Sequence, residues 1–239
     1  MKKYKSFWNQ DIEPGYYDKV IQLGLEKNKG LQSNWHNCTY KKVLGLINNP
    51  ASNLDYACGP GTFVGRYLQG KATGVDIAIE QIKYARRKFK DKNFYTVEEF
   101  NNLNTKEKFN TVTILGLIEF LTVDEFLVLL KQLRELLDKN GKIVLTSPNY
   151  SILFKIIQKL SIFFGVNNYS EVTVSKFTKK KITNILKRSD FEDIEVKKIV
   201  NFGIFFSIFS HNLGLKIEKL IEKYFSNYFG FILLIEIKN

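Results

Sequence analysis

The sequence predicts an α/β fold: a doubly wound, Rossmann-like, mostly parallel sheet of seven strands with an antiparallel edge strand. The central part of the chain alternates short apolar strand patterns with amphipathic helix patterns, which is typical of a parallel sheet covered by helices on both faces. A glycine-rich turn at residues 57–61 follows the first of these strands. Two more strand patterns come late in the chain, where antiparallel edges of such sheets often arise.

The first 150 residues supply five strands and the helices between them. Thr122 and Glu125 form a predicted capping box, because each side chain can satisfy the other residue's backbone N–H at the start of a helix. Gly70 and Asn140-Gly141 are predicted helix ends. The predicted strands are 54–56, 72–77, 93–97, 111–115 and 142–146, and the predicted helices are 62–69, 79–89 and 122–138.

The rest of the chain changes character. A helix is predicted over 177–188, and strands over 191–200 and 230–238 with a helical segment between them. Linkers and repeats are not evident, so a single domain over 1–239 is predicted. Its parts are a helical extension (1–50), a ligand-binding core (51–149), and hydrophobic lid helices with edge strands (150–239).

The composition is basic, with 36 Lys and Arg against 24 Asp and Glu and a net charge of +12. Such a charge attracts anionic partners. However, only five of the cations are Arg, the usual residue for bidentate phosphate recognition, so nucleic acid is an unlikely partner. Two cysteines make neither a disulfide scaffold nor a metal site. We expect a cytoplasmic protein with a lysine-rich surface, and peripheral membrane contact stays open.

Three features are predicted to meet at the carboxyl ends of the strands, where a doubly wound sheet binds its ligand. The turn at 57–61 allows close backbone approach, and the helix after it presents unpaired N–H groups. Asp76 ends the second strand and can accept both hydroxyls of a ribose. Gly116 follows the fourth strand and leaves room for a ligand. Together they indicate a nucleotide-like ligand.

Successive blocks of the chain, in order and at the expected spacing, resemble class I S-adenosylmethionine-dependent methyltransferases, including those of quinone pathways and polysaccharide clusters. Ala57 departs from the family pattern, which commonly has Gly there. The matching blocks are 54–62 (LDYACGPGT), 74–77 (GVDI) with Gln81, 109–119 and 141–145.

The resemblance implies an enzyme that binds S-adenosyl-L-methionine. The backbone of 57–61 would hold the methionine portion, Asp76 the ribose and Ile77 the adenine, with Glu98 or Glu99 near the adenine amino group. Tyr16 and Tyr17 could close the site. The implied cofactor-binding residues are Asp55, Ala57, Gly59, Gly61, Asp76, Ile77, Gln81, Glu98, Glu99, Phe100, Leu115 and Gly116.

Methyl transfer from a sulfonium needs alignment above all, and a general base matters chiefly for a hydroxyl acceptor. Related quinone-pathway enzymes often carry a His where this chain has Phe120. His36 is the candidate base instead, and a helix-packing role is its alternative. Glu119 could contact the acceptor or cap a helix, and His211 is a weaker candidate. O-methylation is slightly favoured.

Two insertions are predicted to shape the acceptor site. The first, 152–164, places Ile152 and Ile156 with other apolar residues on one side of a helix too short to span a bilayer. The second, around 205–209, is rich in Phe. They either pack on each other and the core or form an apolar mouth for a lipid-linked acceptor. A small-molecule acceptor is the other possibility, and the oligomeric state is not predicted.

Two other functions stay open. An NAD(P)-dependent oxidoreductase also uses a glycine turn, but the glycines at 59, 61 and 65 do not have the G-x-G-x-x-G spacing. A noncatalytic S-adenosylmethionine-binding protein would keep the same turn and Asp76.

Overall fold

The computed structural model describes residues 8, 12–47, 51–103, 107–163, 171–189, 191, 193–225 and 228–239. The strands are Asn53–Tyr56 (β1), Ala72–Asp76 (β2), Asn93–Thr96 (β3), Phe109–Leu115 (β4), Leu137–Pro148 (β5), Ile194–Ile199 (β6) and Ile232–Lys238 (β7). They form a seven-stranded sheet in the order β3-β2-β1-β4-β5-β7-β6. The first five strands pair in parallel, and β7 pairs antiparallel with both β5 and β6. The predicted fold class is confirmed.

Helices cover both faces of this sheet. Short 3₁₀ helices at Ile118–Phe120 and Phe202–Ile208 complete the described elements. The α-helices are Tyr16–Glu26 (α1), Leu31–Leu44 (α2), Thr62–Arg66 (α3), Ile79–Lys88 (α4), Val97–Asn102 (α5), Val123–Arg134 (α6), Ile152–Phe163 (α7), Lys179–Lys187 (α8) and His211–Phe225 (α9).

Successive strand residues point to opposite faces and therefore fill two separate cores. On one face, α6 contributes Phe126, which is buried in the same cluster as Val112 of β4. On the other face, Phe63 of α3 and Ile82 of α4 are buried with Val144 of β5. Because the helices hold both faces, the carboxyl ends of the parallel strands are left to build a site.

Some element boundaries differ from the sequence prediction. Helix α5 was not predicted; it begins directly after β3 because Thr96 and Glu99 form a capping box. Helix α6, whose predicted capping box is present, ends at Arg134 rather than near 138. Strand β5 then begins at Leu137, which pairs with Phe109 before the register shifts. Asn140-Gly141 therefore lies in a strand irregularity, not at a helix end.

Helix α7 does not bury the side that the sequence pattern suggested. Phe154 and Ile157 are buried, whereas Ile152 and Ile156 are exposed. Phe164, also expected on the apolar side, lies outside the described residues. The helix therefore packs against the core by one edge and leaves part of its apolar side uncovered.

The N-terminal extension is tied to the core by a buried carboxylate. Asp18 of α1 is fully buried and accepts hydrogen bonds from Arg66 Nε at 2.5 Å and Nη2 at 2.9 Å. Tyr84 Oη donates to the same carboxylate at 2.9 Å. Because Arg66 ends α3 and Tyr84 lies on α4, this one carboxylate joins the extension to both helices.

We predict that Arg66→Met lowers the free energy of unfolding by about 2 to 4 kcal/mol, because it leaves the Asp18 charge buried without its ion pair. The upper figure applies to wholly buried pairs, and Arg66 keeps a quarter of its side chain exposed. Tyr84→Phe, which removes one hydrogen bond only, should cost about 1 kcal/mol. Urea unfolding measures both. Equal losses in the two variants would contradict this account.

Candidate functional site

The turn after β1 is a left-handed backbone segment. Ala57, Gly59 and Gly61 have φ values of 65°, 53° and 73°. The turn is fixed to the neighbouring strand because the Cys58 amide donates to the Val75 carbonyl at 3.0 Å. Ala57 stands where the family commonly has Gly. Its left-handed backbone conformation is unstrained for Gly but strained for Ala.

The two glycines of this turn have different surroundings. A Cβ on Gly61 would lie 2.5 Å from the ring of Phe94, so this glycine lets α3 pack against β3. A Cβ on Gly59 would meet nothing within 4 Å. Gly59 therefore borders open space at the carboxyl end of β1, where a ligand can approach the backbone.

Asp76 closes the turn from the end of β2. Its Oδ2 accepts a hydrogen bond from the Gly59 amide at 2.8 Å, and its Oδ1 accepts one from the Ala78 amide at 2.7 Å. Burial raises the pKa of Asp76, and these amides oppose that rise. Each carboxylate oxygen has two acceptor positions, so both can still accept a ribose hydroxyl.

Asp55 lies deeper, inside the sheet. Its Oδ1 accepts a hydrogen bond from Thr113 Oγ1 at 2.6 Å, across the parallel pair of β1 and β4. Burial raises the pKa of Asp55 to about 7, the Thr113 hydroxyl opposes this, and Asp76 adds to it. Asp55 thus lies beneath the turn, and its contacts are with the sheet.

The acidic candidates after β3 lie on helix α5. Both Glu98 and Glu99 are exposed. Glu99 Oε2 accepts from the Thr96 amide at 2.7 Å and from Arg86 Nη2 at 2.6 Å, so its carboxylate already serves the helix start. Glu98 is thereby the better candidate for a ligand contact. The sequence could not separate them because the helix that assigns Glu99 was not predicted.

Other adenine-side candidates differ in their contacts. Ile77 is half-buried directly after Asp76, whereas Phe100 is buried in the core beside α6. Gln81 is buried and binds the chain itself: Oε1 accepts from the Gly15 amide at 3.0 Å, and Nε2 donates to the Ile12 carbonyl at 3.2 Å. Gln81 therefore anchors the N-terminal segment beside the strand end.

The end of β4 brings another acid, Glu119, to the site. Leu115 is half-buried, and Gly116 is exposed with a φ of 73°. A Cβ on Gly116 would lie 3.7 Å from Glu119 Oε1, so the Glu119 side chain turns back toward this strand end. Glu119 is buried, and its Oε2 has no hydrogen-bond partner among the described residues. Burial raises the pKa of Glu119 to about 8.

The end of β5 adds polar groups that the sequence analysis did not single out. Tyr150 is buried, and its hydroxyl lies 3.4 Å from Thr173 Oγ1. Burial raises the pKa of Tyr150 to about 12, and the Glu119 carboxylate contributes to that rise. Ser147 lies beside Glu119 and partly offsets the shift of its pKa. In the sequence, the run Ser-Pro-Asn-Tyr at 147–150, directly after the predicted strand 142–146, was the signal that could have identified these groups.

Both histidine side chains contact neighbouring residues of the protein: His36 packs against aromatic rings, and His211 forms hydrogen bonds. The His36 ring lies 5.2 Å from Tyr17 and 6.0 Å from Tyr40, and Tyr17 also contacts Tyr16. Burial lowers the pKa of His36 to about 4. His211 Nε2 lies 2.8 Å from Ser33 Oγ and 3.1 Å from the Gly30 carbonyl, which joins α9 to α2.

The strand order, the glycine turn after β1 and the acid ending β2 define the class I methyltransferase fold. Residues 54–141 match the family model described as a methyltransferase domain. The chain therefore has the fold of the class I S-adenosylmethionine-dependent methyltransferases, with a methyltransferase domain over residues 54–141. None of the curated proteins matches the sequence significantly.

Solved structures extend the likeness beyond the matched region. A SAM-dependent methyltransferase from Archaeoglobus fulgidus is 20% identical, with a TM-score of 0.60 over 84% of this chain and 91% of the other. Magnesium protoporphyrin IX methyltransferase from Synechocystis PCC 6803, with bound SAH, is 13% identical, with a TM-score of 0.57 over 100% and 99%. A plantazolicin methyltransferase in complex with a triazolic desmethylPZN analog and SAH is 15% identical, with a TM-score of 0.59 over 99% and 94%.

The two turn glycines give a matched pair of variants. Gly59→Ala should cost about 1 to 2 kcal/mol of unfolding free energy, from the left-handed backbone alone. Gly61→Ala should cost about 1 to 3 kcal/mol more, because its Cβ overlaps Phe94. Thermal or urea unfolding of both variants measures the difference. A Gly61→Ala protein as stable as Gly59→Ala would contradict the packing described here.

The raised pKa of Glu119 should make the free energy of unfolding depend on pH. Its folded pKa of about 8 exceeds the ordinary 4.5, so its stabilising contribution is complete below about pH 4.5 and is lost as pH rises through about 8. Glu119→Gln should therefore gain stability relative to the parent protein over that window, by up to about 1.4 kcal/mol per pH unit. Urea unfolding from pH 5 to 9 measures it. The exposed Glu135→Gln is the control; parallel curves for Glu119→Gln and the parent would contradict a buried, proton-binding Glu119.

Proposed function

We propose that this methyltransferase transfers the methyl group of S-adenosyl-L-methionine to a small or lipid-linked acceptor, with an acceptor oxygen slightly favoured. One observation carries the donor side of the proposal: Asp76 holds the Gly59 amide while Gly59 borders open space. A carboxylate and an open glycine backbone at one strand end suit a ribose and the chain attached to it. The same arrangement without catalysis, or with NAD(P), is the competing function.

On the donor side, the backbone of 57–61 would lie along the methionine portion and Asp76 would accept the ribose hydroxyls. Ile77 would pack on the adenine, and Glu98 is the better placed of the two acids for its amino group. Leu115 and Gly116 would border the sulfonium. Asp55 and Gln81 would support the site through Thr113 and the N-terminal segment, and Phe100 through the core.

On the acceptor side, Glu119 and Tyr150 would orient the acceptor. A pKa of about 8 keeps most of the Glu119 carboxyl protonated at pH 7, so it would donate a hydrogen bond rather than abstract a proton. Its Oε2 atom needs a partner that the described residues do not supply, and an acceptor's oxygen could be that partner. Alignment of this kind supplies much of the rate in a displacement at a sulfonium.

His36 is a poor general base in this proposal. A pKa of about 4 leaves the ring neutral at pH 7 but weakly basic, and efficient bases have pKa values near the working pH. The Tyr17 and Tyr40 rings around it support the packing role. An acceptor with a low intrinsic pKa, which needs little help in losing its proton, fits the site better than a simple alcohol.

A lipid-linked acceptor would require contact with a membrane from the cytoplasmic side. No described helix is long and apolar enough to cross a bilayer. The proposal therefore invokes peripheral contact, and it draws on the exposed apolar residues of α7 and α9. By their titles the neighbours differ: one is a magnesium protoporphyrin IX methyltransferase, and another is a plantazolicin methyltransferase in complex with a triazolic desmethylPZN analog.

Calorimetry with S-adenosylhomocysteine tests the donor side. The parent protein should bind it, and Asp76→Asn should weaken binding roughly 10- to 100-fold, because a hydrogen bond to a charged group contributes about 1.5 to 3 kcal/mol. The exposed Asp91→Asn is the matched control. NAD should give no heat, and SAH formation with candidate acceptors tests catalysis. Binding of NAD in place of S-adenosylhomocysteine would overturn the proposal.

A further inference from the structure

Helix α9 exposes a stripe of apolar side chains to solvent, although a glycine and a glutamate are among the residues that it buries. Leu213, Leu220 and Tyr224 are 42%, 57% and 64% exposed. At 3.6 residues per turn these three positions share one stripe. Gly214 and Glu218 lie on the opposite, buried side. An ordinary surface helix turns such apolar positions toward the core, so this exposed stripe departs from the usual pattern.

The buried side of α9 is fixed by close contacts. Glu218 Oε1 accepts from the Asn201 amide at 2.5 Å, so the buried acid has a partner. A Cβ on Gly203 would lie 2.3 Å from the Glu218 backbone, and one on Gly214 would lie 2.1 Å from Ser207 Oγ. The helix is thus seated on the 3₁₀ segment through glycines, and it cannot roll to bury its apolar stripe.

Aromatic residues extend the exposed stripe at both ends of α9. Phe209, 76% exposed, comes just before the helix, together with Phe206 and Ile208. Phe225 is the last residue of the helix and Phe229 comes after it, and their ring centroids are 6.3 Å apart. We call this surface the α9 apolar face; it consists of Phe206, Ile208, Phe209, Leu213, Leu220, Tyr224, Phe225, Tyr228 and Phe229. Contiguous apolar surface of this kind marks a protein or membrane contact.

The exposed charged residues of α9 are all of one sign. Lys216, Lys219 and Lys223 are exposed along one flank of the stripe. The acids of the helix are engaged elsewhere: Glu218 is buried, and Glu222 forms an ion pair with Lys42. Ile208 also borders an open groove of about 470 Å³, whose lining includes Lys27 and Lys29. Apolar and aromatic side chains edged by lysine are the pattern of helices that lie in the interface of anionic membranes.

We propose that the α9 apolar face docks on the anionic surface of a lipid bilayer, with α9 lying in the plane of the interface. The inference deepens the proposed function, on whose lipid-linked acceptor it rests. The helix has 15 residues, a length of about 22 Å, which suits lying in the interface rather than crossing it. The buried side stays on the protein, so docking needs no rearrangement of α9.

Co-sedimentation of the full chain with vesicles tests the proposal. Vesicles of phosphatidylcholine with 30% phosphatidylglycerol (about one anionic lipid in three) should bind the parent protein, and pure phosphatidylcholine should bind it at least tenfold less, since each lysine near an anionic surface contributes about fivefold. Leu220→Gln should weaken binding several-fold. The control is Val128→Gln on α6, which is 55% exposed against 57% for Leu220 and lies on the other side of the sheet.

A charge comparison separates docking from general attraction. Lys216→Gln, Lys219→Gln and Lys223→Gln combined should reduce binding at least tenfold at low salt, whereas the same change at Lys131, Lys139 and Lys187 should reduce it much less. Equal losses of vesicle binding in the two sets of variants would overturn the proposal. A parent protein that does not bind anionic vesicles would overturn it as well. A parent protein that dimerises through Leu220 without binding vesicles would assign the face to a second copy instead. Calorimetry with S-adenosylhomocysteine in vesicle-free buffer tests the proposed function independently of docking. Normal cofactor binding without vesicle binding would refute the docking alone.

Discussion

The site depends on the hydrogen bonds by which Asp76 holds two backbone amides. The carboxylate accepts from Gly59 in the turn after β1 and from Ala78 at the start of α4, so one side chain sets the spacing between neighbouring strand ends. Burial disfavours the charged form of Asp76, and the amides compensate. A turn held in this way is organised before the cofactor arrives, so binding has less conformational entropy to overcome.

The carboxyl groups at this edge of the sheet are differentiated by their partners. Asp76 faces backbone amides, whereas Asp55 faces only the Thr113 hydroxyl. Glu119 has an oxygen without a partner among the described residues, and burial raises its pKa to about 8. In the proposed site, Asp76 would therefore accept hydrogen bonds on the donor side, while a protonated Glu119 would donate one on the acceptor side. This division suits a cofactor with ribose hydroxyls and an acceptor with a lone pair.

Much of the fold and of the donor side could be predicted from the sequence, because both rest on local signals: strand and helix periods, the glycine turn and Asp76. On the acceptor side the sequence indicated Glu119 but not Tyr150, because the two residues come together only through the pairing of β4 with β5. Glu99 was ambiguous because its role depends on an unpredicted helix. The side that α9 buries was also not predicted, since it is held against the 3₁₀ segment by glycine contacts that no hydrophobic pattern reveals.

Hydrogen–deuterium exchange with and without S-adenosylhomocysteine tests the central claim most directly, because it reports on each backbone segment of the intact chain. We expect the cofactor to slow exchange at 57–61, at 76–78 and around Gly116. Exchange along α9 should not change, since α9 packs on the 3₁₀ segment and on α2 rather than on the turn. Protection confined to the groove beside α1 and α2, with none at the turn, would contradict the account.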